Sequence, residues 1–147
     1  MDWRWNNVCN SMIFGSALSG VTMSIATPKG FEPDKSTVKV SQNLTDIELT
    51  TDPVKAAKNA DVVVTDTYSS IHNKDPKRIE KVLPKFQVND KIMDLAKKNA
   101  IFLHCLPAKR EQEVTSSVID GPQSLVWDEA ENRLHSQKAL LSALLHA

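Results

Sequence analysis

Short apolar runs alternate along the chain with amphipathic segments, and glycine, proline and asparagine residues separate one segment from the next. This alternation is typical of α/β domains, in which helices cover both faces of a parallel sheet. Because both faces are covered, the strands are expected to be short and apolar throughout. The predicted strands are Val21–Thr27, Ile47–Thr51, Val62–Thr65, Ala100–His104 and Ser124–Trp127.

Helix signals lie between these runs. An asparagine pair opens one segment, Asp52-Pro53 supplies an N-cap acceptor and a first-turn proline for another, and Asn89 caps a third. The last segment carries leucines at helical spacing, so it presents an apolar face. The predicted helices are Asn7–Leu18, Val54–Ala57, Asp90–Lys98 and Glu129–Leu145, and the form of residues 69–85 stays unassigned.

The charge balance and the two cysteines narrow the classes of protein to which the chain can belong. Eighteen basic residues balance eighteen acidic ones, which leaves no field to hold nucleic acid or an anionic membrane. Cys9 and Cys105 are too far apart to indicate a disulfide framework, which favours a reducing compartment. No apolar run reaches the roughly eighteen residues of a membrane span, so we expect a soluble, cytoplasmic protein whose partners are small molecules or protein surfaces.

Polar residues follow three of the predicted strands, at 66–70, 104–107 and 128–133, at the sheet edge where open α/β folds bind their ligands. Asp66 is suited to hold an ammonium group or accept its proton, or else it is a helix cap or turn acceptor. Cys105 is a ligand contact, a proton-transfer partner or an activated thiolate, or else a small buried hydrophobe. Leu106-Pro107 is a candidate cis bond in a tight turn.

Three further positions at this edge have plain structural interpretations. Asn7 indicates helix capping, Ser70 a loop residue, and Arg133 the partner of Glu129 in a surface i, i+4 pair. Each of these signals is weak when it stands alone. No Gly-x-Gly-x-x-Gly follows a strand, which argues against dinucleotide binding.

The order of the motifs along the chain carries a stronger signal than any one of them. They are Asn-Asn at 6–7, Asp-x-x-x-Ser at 66–70, His-Cys-Leu-Pro at 104–107 and Trp-Asp-Glu-Ala-Glu-Asn-Arg-Leu-His at 127–135. In this order they resemble the C-terminal, ornithine-binding domain of ornithine carbamoyltransferases. The resemblance implies a Rossmann-like, doubly wound parallel sheet with helices on both faces, and one such domain over residues 1–147.

The resemblance also implies which residues meet the amino acid. Asn7, Asp66 and Ser70 match positions that hold the α-amino and carboxylate groups of ornithine. Ile71 lies where the family selects its substrate. Asp66 belongs to the catalytic residues as well as to the ornithine site.

A second group of residues is implied for the reacting atoms. Cys105 matches the catalytic residue beside the δ-amine, and Leu106 and Arg133 match positions that, with Cys105, face carbamoyl phosphate. The implied reaction is attack of the neutral δ-amine on the carbonyl carbon of carbamoyl phosphate, which gives citrulline and phosphate. No metal or organic cofactor is expected.

The sequence departs from the family pattern in several places. Where relatives carry Asp-x-Trp-x-Ser-Met-Gly, this chain has Tyr68, Ile71 and His72, which predicts a differently shaped ornithine loop. Lys109 stands where many relatives have His, and the first strand of the domain is truncated to Met1–Trp5. Two alternatives therefore stay open: a transcarbamylase fragment for a related amine, and a non-catalytic interaction remnant.

We expect the family's N-terminal carbamoyl phosphate domain to be absent from these residues, and the isolated chain to be inactive for that reason. In the family the last helix packs against that domain, so Leu141, Leu144 and Leu145 are expected to be exposed here. Self-association, or pairing with a full-length relative, is the expected consequence. A mitochondrial location replaces the cytoplasmic one if a transit segment was lost with the N-terminal half.

Overall fold

Helices and strands follow one another in the alternating order that the apolar pattern predicts. A computed structural model describes residues 7–68 and 81–146. The helices are α1 (Asn7–Ser19), α2 (Lys35–Ser41), α3 (Pro53–Ala57), α4 (Asp90–Met93), α5 (Ser116–Ile119) and α6 (Val126–Leu145), with a 3₁₀ helix at Leu83–Phe86. The strands are β1 (Met23–Ala26), β2 (Ile47–Thr50), β3 (Val62–Thr65) and β4 (Ile101–His104).

The strands pair in parallel as two ladders. β1 pairs with β2 in a register that starts with Met23 opposite Ile47, and β3 pairs with β4 from Val62 opposite Ile101. Each pair is joined by a helical crossover, as parallel strands require. The predicted Rossmann-like α/β architecture is confirmed, while the predicted first strand, Met1–Trp5, lies outside the described residues.

Two predicted helix starts are confirmed by their caps. The Asp52 carboxylate accepts a hydrogen bond from the Val54 N–H at 3.0 Å, with Pro53 in the first turn of α3. The Asn89 side chain accepts one from the Ile92 N–H at 3.2 Å, at the start of α4. Each cap satisfies an N–H group that has no partner within its own helix.

The predicted extent of α4 is wrong, because this helix ends at Met93 rather than at Lys98. The Lys97 N–H donates to the Ala60 carbonyl at 3.0 Å instead of bonding within a helix. That tertiary hydrogen bond holds the segment against the turn before β3. The helices α2 and α5 fall in stretches for which the pattern predicts no element.

The predicted strand Ser124–Trp127 is also wrong. Ser124 forms a single bridge to Phe102, and α6 begins at Val126, three residues before the predicted Glu129. An apolar run of this length does not distinguish a strand from a buried helix start. Asp128 and Glu129 lie in the first turn of α6, where carboxylates stabilise a helix N-terminus.

The core divides between the two ladders. One buried cluster lies around β1 and β2 and consists of Ile13, Ile25, Val38 and Ile47. The other lies around β3 and β4 and consists of Val63, Val88, Met93, Phe102, Val114, Val118, Ile119 and Val126. Among the described residues, none of the helices is long and apolar enough to span a membrane.

Candidate active site

The register of β3 and β4 brings Asp66 and Cys105 together. Thr65 and His104 are the last paired residues of this ladder, so the residues that follow them leave the same edge of the sheet side by side. The Cys105 thiol donates a hydrogen bond to Asp66 Oδ1 over a distance of 3.1 Å. Two of the residues singled out from the sequence therefore form one site.

The Cys105 thiol lies in an environment that disfavours the thiolate. Burial raises the pKa of the thiol to about 12, and the hydrogen bond to Asp66 and the charges of Asp66 and Glu129 add to the effect. At neutral pH the side chain is therefore a neutral S–H donor. Of the alternatives for Cys105, the activated thiolate is the one that this environment opposes.

A tight turn follows Cys105. The Leu106–Pro107 peptide bond is cis, as the sequence suggests, and Leu106 has a φ of 54°. This φ lies in the left-handed region, which non-glycine residues adopt only where surrounding contacts hold them. One such contact is the hydrogen bond from the Leu106 N–H to His104 Nδ1, at 2.9 Å.

His104 and Glu113 form a buried pair beneath this turn. His104 is 1% exposed and Glu113 is 0% exposed. Because His104 Nδ1 accepts the Leu106 bond, the ring proton lies on Nε2, which faces Glu113 Oε1 at 3.3 Å. The same carboxylate oxygen accepts the Lys109 N–H at 2.6 Å, so Glu113 joins both sides of the turn.

The pKa of Glu113 reflects two opposing effects. Burial raises the pKa of this carboxyl, but the hydrogen bonds from His104 and from the Lys109 N–H outweigh burial, and the pKa lies below its usual value. Glu113 is therefore ionised in the folded protein at neutral pH. Among the described residues, its second oxygen, Oε2, has no hydrogen-bond partner.

The lowered pKa of Glu113 predicts how the stability of the fold depends on pH. Its contribution is present above the unfolded-state pKa of about 4.3 and is lost as the pH falls through the lower folded-state value. Urea unfolding between neutral pH and about pH 3 should show a shallower loss of stability for Glu113→Gln than for the parent chain. The exposed Glu111 gives a comparison: hydrogen bonds from Ser116 also lower its pKa, but solvent screens its charge, so Glu111→Gln should make the slope only slightly shallower. Equal slopes for all three proteins would refute the assignment.

The first turn of α6 reaches the same edge of the sheet. Glu129 accepts a hydrogen bond from the His104 N–H at 2.9 Å. The predicted surface pair between Glu129 and Arg133 does not form, and Arg133 is exposed without an ion pair to any described residue. Glu129 thus adds negative charge beside Cys105, while Arg133 lies one turn further along the helix.

A cavity of about 250 Å³ is lined by both β1 and β3 and by the first turns of α1. Asp66, Tyr68 and Cys9 also line it. Burial, with a contribution from the charge of Asp66, raises the pKa of Cys9 to about 11. Burial also raises the pKa of Tyr68, together with the charge of Glu113. Asp66 therefore lines an apolar cavity together with the protonated side chains of Cys9 and Tyr68, and it also accepts the hydrogen bond from Cys105.

The remaining predicted site residues are placed as follows. Asn7 is the first residue of α1, is exposed, and accepts the Val8 N–H at 3.0 Å through its side chain. This bond joins adjacent residues and is not an N-cap bond, so the capping interpretation stays a prediction. The neighbouring Val8 lines the cavity. Ser70, Ile71 and His72 lie outside the described residues.

Comparison with known proteins assigns the amino-acid sequence of this chain to a family. The sequence matches the family model described as "Aspartate/ornithine carbamoyltransferase, Asp/Orn binding domain" over residues 1–144. The chain belongs to the aspartate/ornithine carbamoyltransferase family. The resemblance inferred from the motif order is thereby confirmed.

Individual carbamoyltransferases are similar along nearly all of this chain. It is 59% identical over 139 residues to ornithine carbamoyltransferase of Cenarchaeum symbiosum, covering 95% of this chain and 46% of that protein. It is 48% identical over 143 residues to the protein of that name from Methanococcus aeolicus, covering 92% of this chain and 47% of the relative. Ornithine carbamoyltransferase from Pyrococcus furiosus superposes with a TM-score of 0.87 at 45% identity, over 93% of this chain and 46% of that structure. The chain thus spans about half the length of its carbamoyltransferase relatives.

Two site residues are not identified by the sequence. Glu113 belongs to the run that resembles carbamoyltransferases, but the sequence pattern assigns it no role, whereas it contacts His104 in the structure. The sequence predicts Glu129 only as a surface partner of Arg133, whereas it accepts the His104 N–H. The one signal for Glu113 is a carboxylate a few residues beyond the turn, next to the buried Val114. That signal alone does not indicate a bond to His104.

Proposed function

We propose that this chain supplies the ornithine side of an ornithine carbamoyltransferase. The observation that carries the proposal is the pairing of Asp66 with a protonated Cys105 at the carboxyl ends of two adjacent parallel strands. Asp66 and Glu129 make this edge negative, as the pKa of Cys105 reflects. A negative edge beside a neutral thiol suits a substrate that carries ammonium groups.

In this proposal, Asn7, Asp66 and Ser70 hold the α-amino and carboxylate groups of ornithine, and Ile71 borders the substrate. Cys105 lies beside the δ-amine as an S–H group rather than as a covalent nucleophile, in accord with its raised pKa. The neutral amine forms a bond to the carbonyl carbon of carbamoyl phosphate, the bond from that carbon to the phosphate oxygen breaks, and the amine loses a proton. The products are citrulline and phosphate. Asp66 is the carboxylate in position to hold an ammonium group of ornithine or to accept the proton that the δ-amine loses.

Residues 1–147 form only part of the proposed binding site for carbamoyl phosphate. We assign Leu106 and Arg133, with Cys105, to its side of the reaction. The Leu106 backbone is held by His104, whereas Arg133 is exposed on α6. The remaining contacts would come from an N-terminal carbamoyl phosphate domain outside residues 1–147, and we propose no metal or organic cofactor. The partners proposed are ornithine, carbamoyl phosphate once that domain is supplied, and a second copy or a full-length relative.

Neither Cys9 nor Cys105 is in a disulfide, which suits a reducing compartment such as the cytoplasm. A related amine remains the second candidate substrate, because Tyr68 occupies the place of the family's tryptophan and lines the cavity beside Asp66.

Ornithine binding by the chain tests the proposal. We expect ornithine to raise the melting temperature, because a ligand that binds only the folded state stabilises it. Asp66→Ala should abolish that shift and leave the melting temperature without ligand nearly unchanged. Asp61→Ala is the matched control, since Asp61 is an exposed carboxylate that pairs with Lys97 at 2.7 Å outside the site.

Lysine and putrescine distinguish the substrate classes in the same assay. A larger shift with either of them would assign the site to a related amine. A shift with ornithine that survives Asp66→Ala would remove Asp66 from the site, and a large loss of stability without ligand would make Asp66 a structural residue.

A further inference from the structure

Glu113 contacts two separate parts of the candidate active site. Its carboxylate accepts hydrogen bonds from His104 Nε2 at 3.3 Å and from the Lys109 N–H at 2.6 Å, on the two sides of the tight turn. Its backbone carbonyl accepts the Val88 N–H at 2.9 Å. Because Val88 lines the cavity of about 250 Å³, Glu113 lies between the wall of that cavity and the turn.

Tyr68 belongs to the same cavity wall. It lies three residues beyond the end of β3, and its hydroxyl oxygen is buried. Burial and the charge of Glu113 both raise the pKa of this hydroxyl, so the phenol is protonated at neutral pH. Glu113 Oε2 is buried as well, and no described residue donates a hydrogen bond to it. A buried carboxylate oxygen without a donor is costly, and a protonated phenol can supply that donor.

We propose that Glu113 is a positioning residue of the ornithine site, which holds the end of β3 and the turn after β4 at a fixed spacing. In the ornithine complex the Tyr68 hydroxyl donates to Glu113 Oε2, since hydrogen bonds in such sites are often long without ligand and shorten when it binds. Glu113 acts through Tyr68 and through the turn. The inference rests on the proposed function, because it concerns the same site.

The spacing matters because the proposed ornithine contacts belong to both strand ends. Asp66 follows β3 and Cys105 follows β4, and Asp66 Oδ1 and Cys105 Sγ are 3.1 Å apart. A group that contacts a ligand keeps its affinity only while its supporting residues hold it to within about 0.5 Å. Loss of the bond between Tyr68 and Glu113 is therefore expected to weaken ornithine binding without unfolding the domain.

A double-mutant cycle on ornithine binding tests this role. Glu113→Gln keeps an oxygen for the two hydrogen bonds of the turn but places a donor where Oε2 was, and Tyr68→Phe removes only the hydroxyl. Each variant should raise the ornithine dissociation constant roughly tenfold, as calorimetry well below the melting temperature of every variant would measure. The double variant should bind ornithine no more weakly than either single variant, because both substitutions remove the same bond.

A matched control and a spectroscopic signal separate positioning from support of the fold. Glu111 is an exposed carboxylate of the same segment, so Glu111→Gln should keep the parental ornithine affinity. Tyr68 is the one tyrosine of the sequence, so tyrosine labelled at the carbon that bears the hydroxyl gives a single NMR signal. In the presence of ornithine, Glu113→Gln should move this signal and Glu111→Gln should not.

Three results would overturn the inference. A parental ornithine affinity in Glu113→Gln would leave Glu113 as a support of the fold alone. A double variant about a hundredfold weaker than the parent would show that Tyr68 and Glu113 act separately. No ornithine binding by the parental chain would overturn the proposed function as well, whereas the first two results leave that function intact.

Discussion

Replacement of Glu113 by alanine is expected to lower the free energy of unfolding by about 3–5 kcal/mol. The substitution leaves the buried Nε2–H of His104 and the Lys109 N–H without their shared acceptor. It also opens a cavity at a position that is 0% exposed. Few single substitutions in a domain of this size would have a larger effect.

Urea unfolding at neutral pH measures this effect. Glu111→Ala is the control, because Glu111 is an exposed carboxylate of the same segment that accepts the Ser116 N–H at 2.8 Å, and its loss should matter far less. Glu113→Gln should fall between the parent and Glu113→Ala, since an amide oxygen still accepts both hydrogen bonds. Equal stabilities for Glu113→Ala and Glu111→Ala would show that the pair beneath the turn is not a structural support.

The pair formed by His104 and Glu113 also explains which features of the site the sequence predicts. Residues that follow directly after a strand are predictable. Three consecutive valines and a threonine predict β3, and the carboxyl ends of paired parallel strands meet at one edge of the sheet. The amino-acid sequence alone therefore suffices to assign Asp66 and Cys105 to one site. It does not suffice for Glu113, which lies in an irregular segment whose path depends on long-range hydrogen bonds.

The errors in the predicted elements have the same origin. Ser124–Trp127 carries an apolar run at the junction of a bridge and a helix, and its form depends on hydrogen bonds that Phe102 exchanges with Gln123 and Leu125. Likewise, the end of α4 depends on the bond from Lys97 to Ala60, which lies in a different part of the chain. Periodicity reports which faces are buried, and it does not report such tertiary bonds.

The residues 1–147 by themselves are expected to form no detectable citrulline from ornithine and carbamoyl phosphate. Two of the proposed carbamoyl phosphate contacts are Leu106 and Arg133. The Leu106 backbone lies in a turn held by a hydrogen bond to His104, and Arg133 is exposed on the solvent-exposed part of α6. These groups do not suffice to orient the carbamoyl carbon or to stabilise charge on the leaving phosphate, which are the two largest sources of rate in such transfers. Because the Cys105 thiol is neutral, it does not act as a covalent nucleophile that could replace the missing carbamoyl phosphate contacts.

Citrulline formation with and without an added carbamoyl phosphate domain measures this deficit. The separately purified complementary half of a carbamoyltransferase relative, mixed with this chain, should produce citrulline, and Asp66→Ala should remove the product again. Ornithine binding to the chain alone should persist, because Asp66 is positioned by the register of β3 and β4 within the domain. Turnover by the chain alone within tenfold of a typical enzyme value of about 10 per second would contradict the expectation. Such a result would mean that the edge formed by Asp66, Cys105 and Leu106 binds both substrates, and that α6 brings Arg133 to it in place of a second domain.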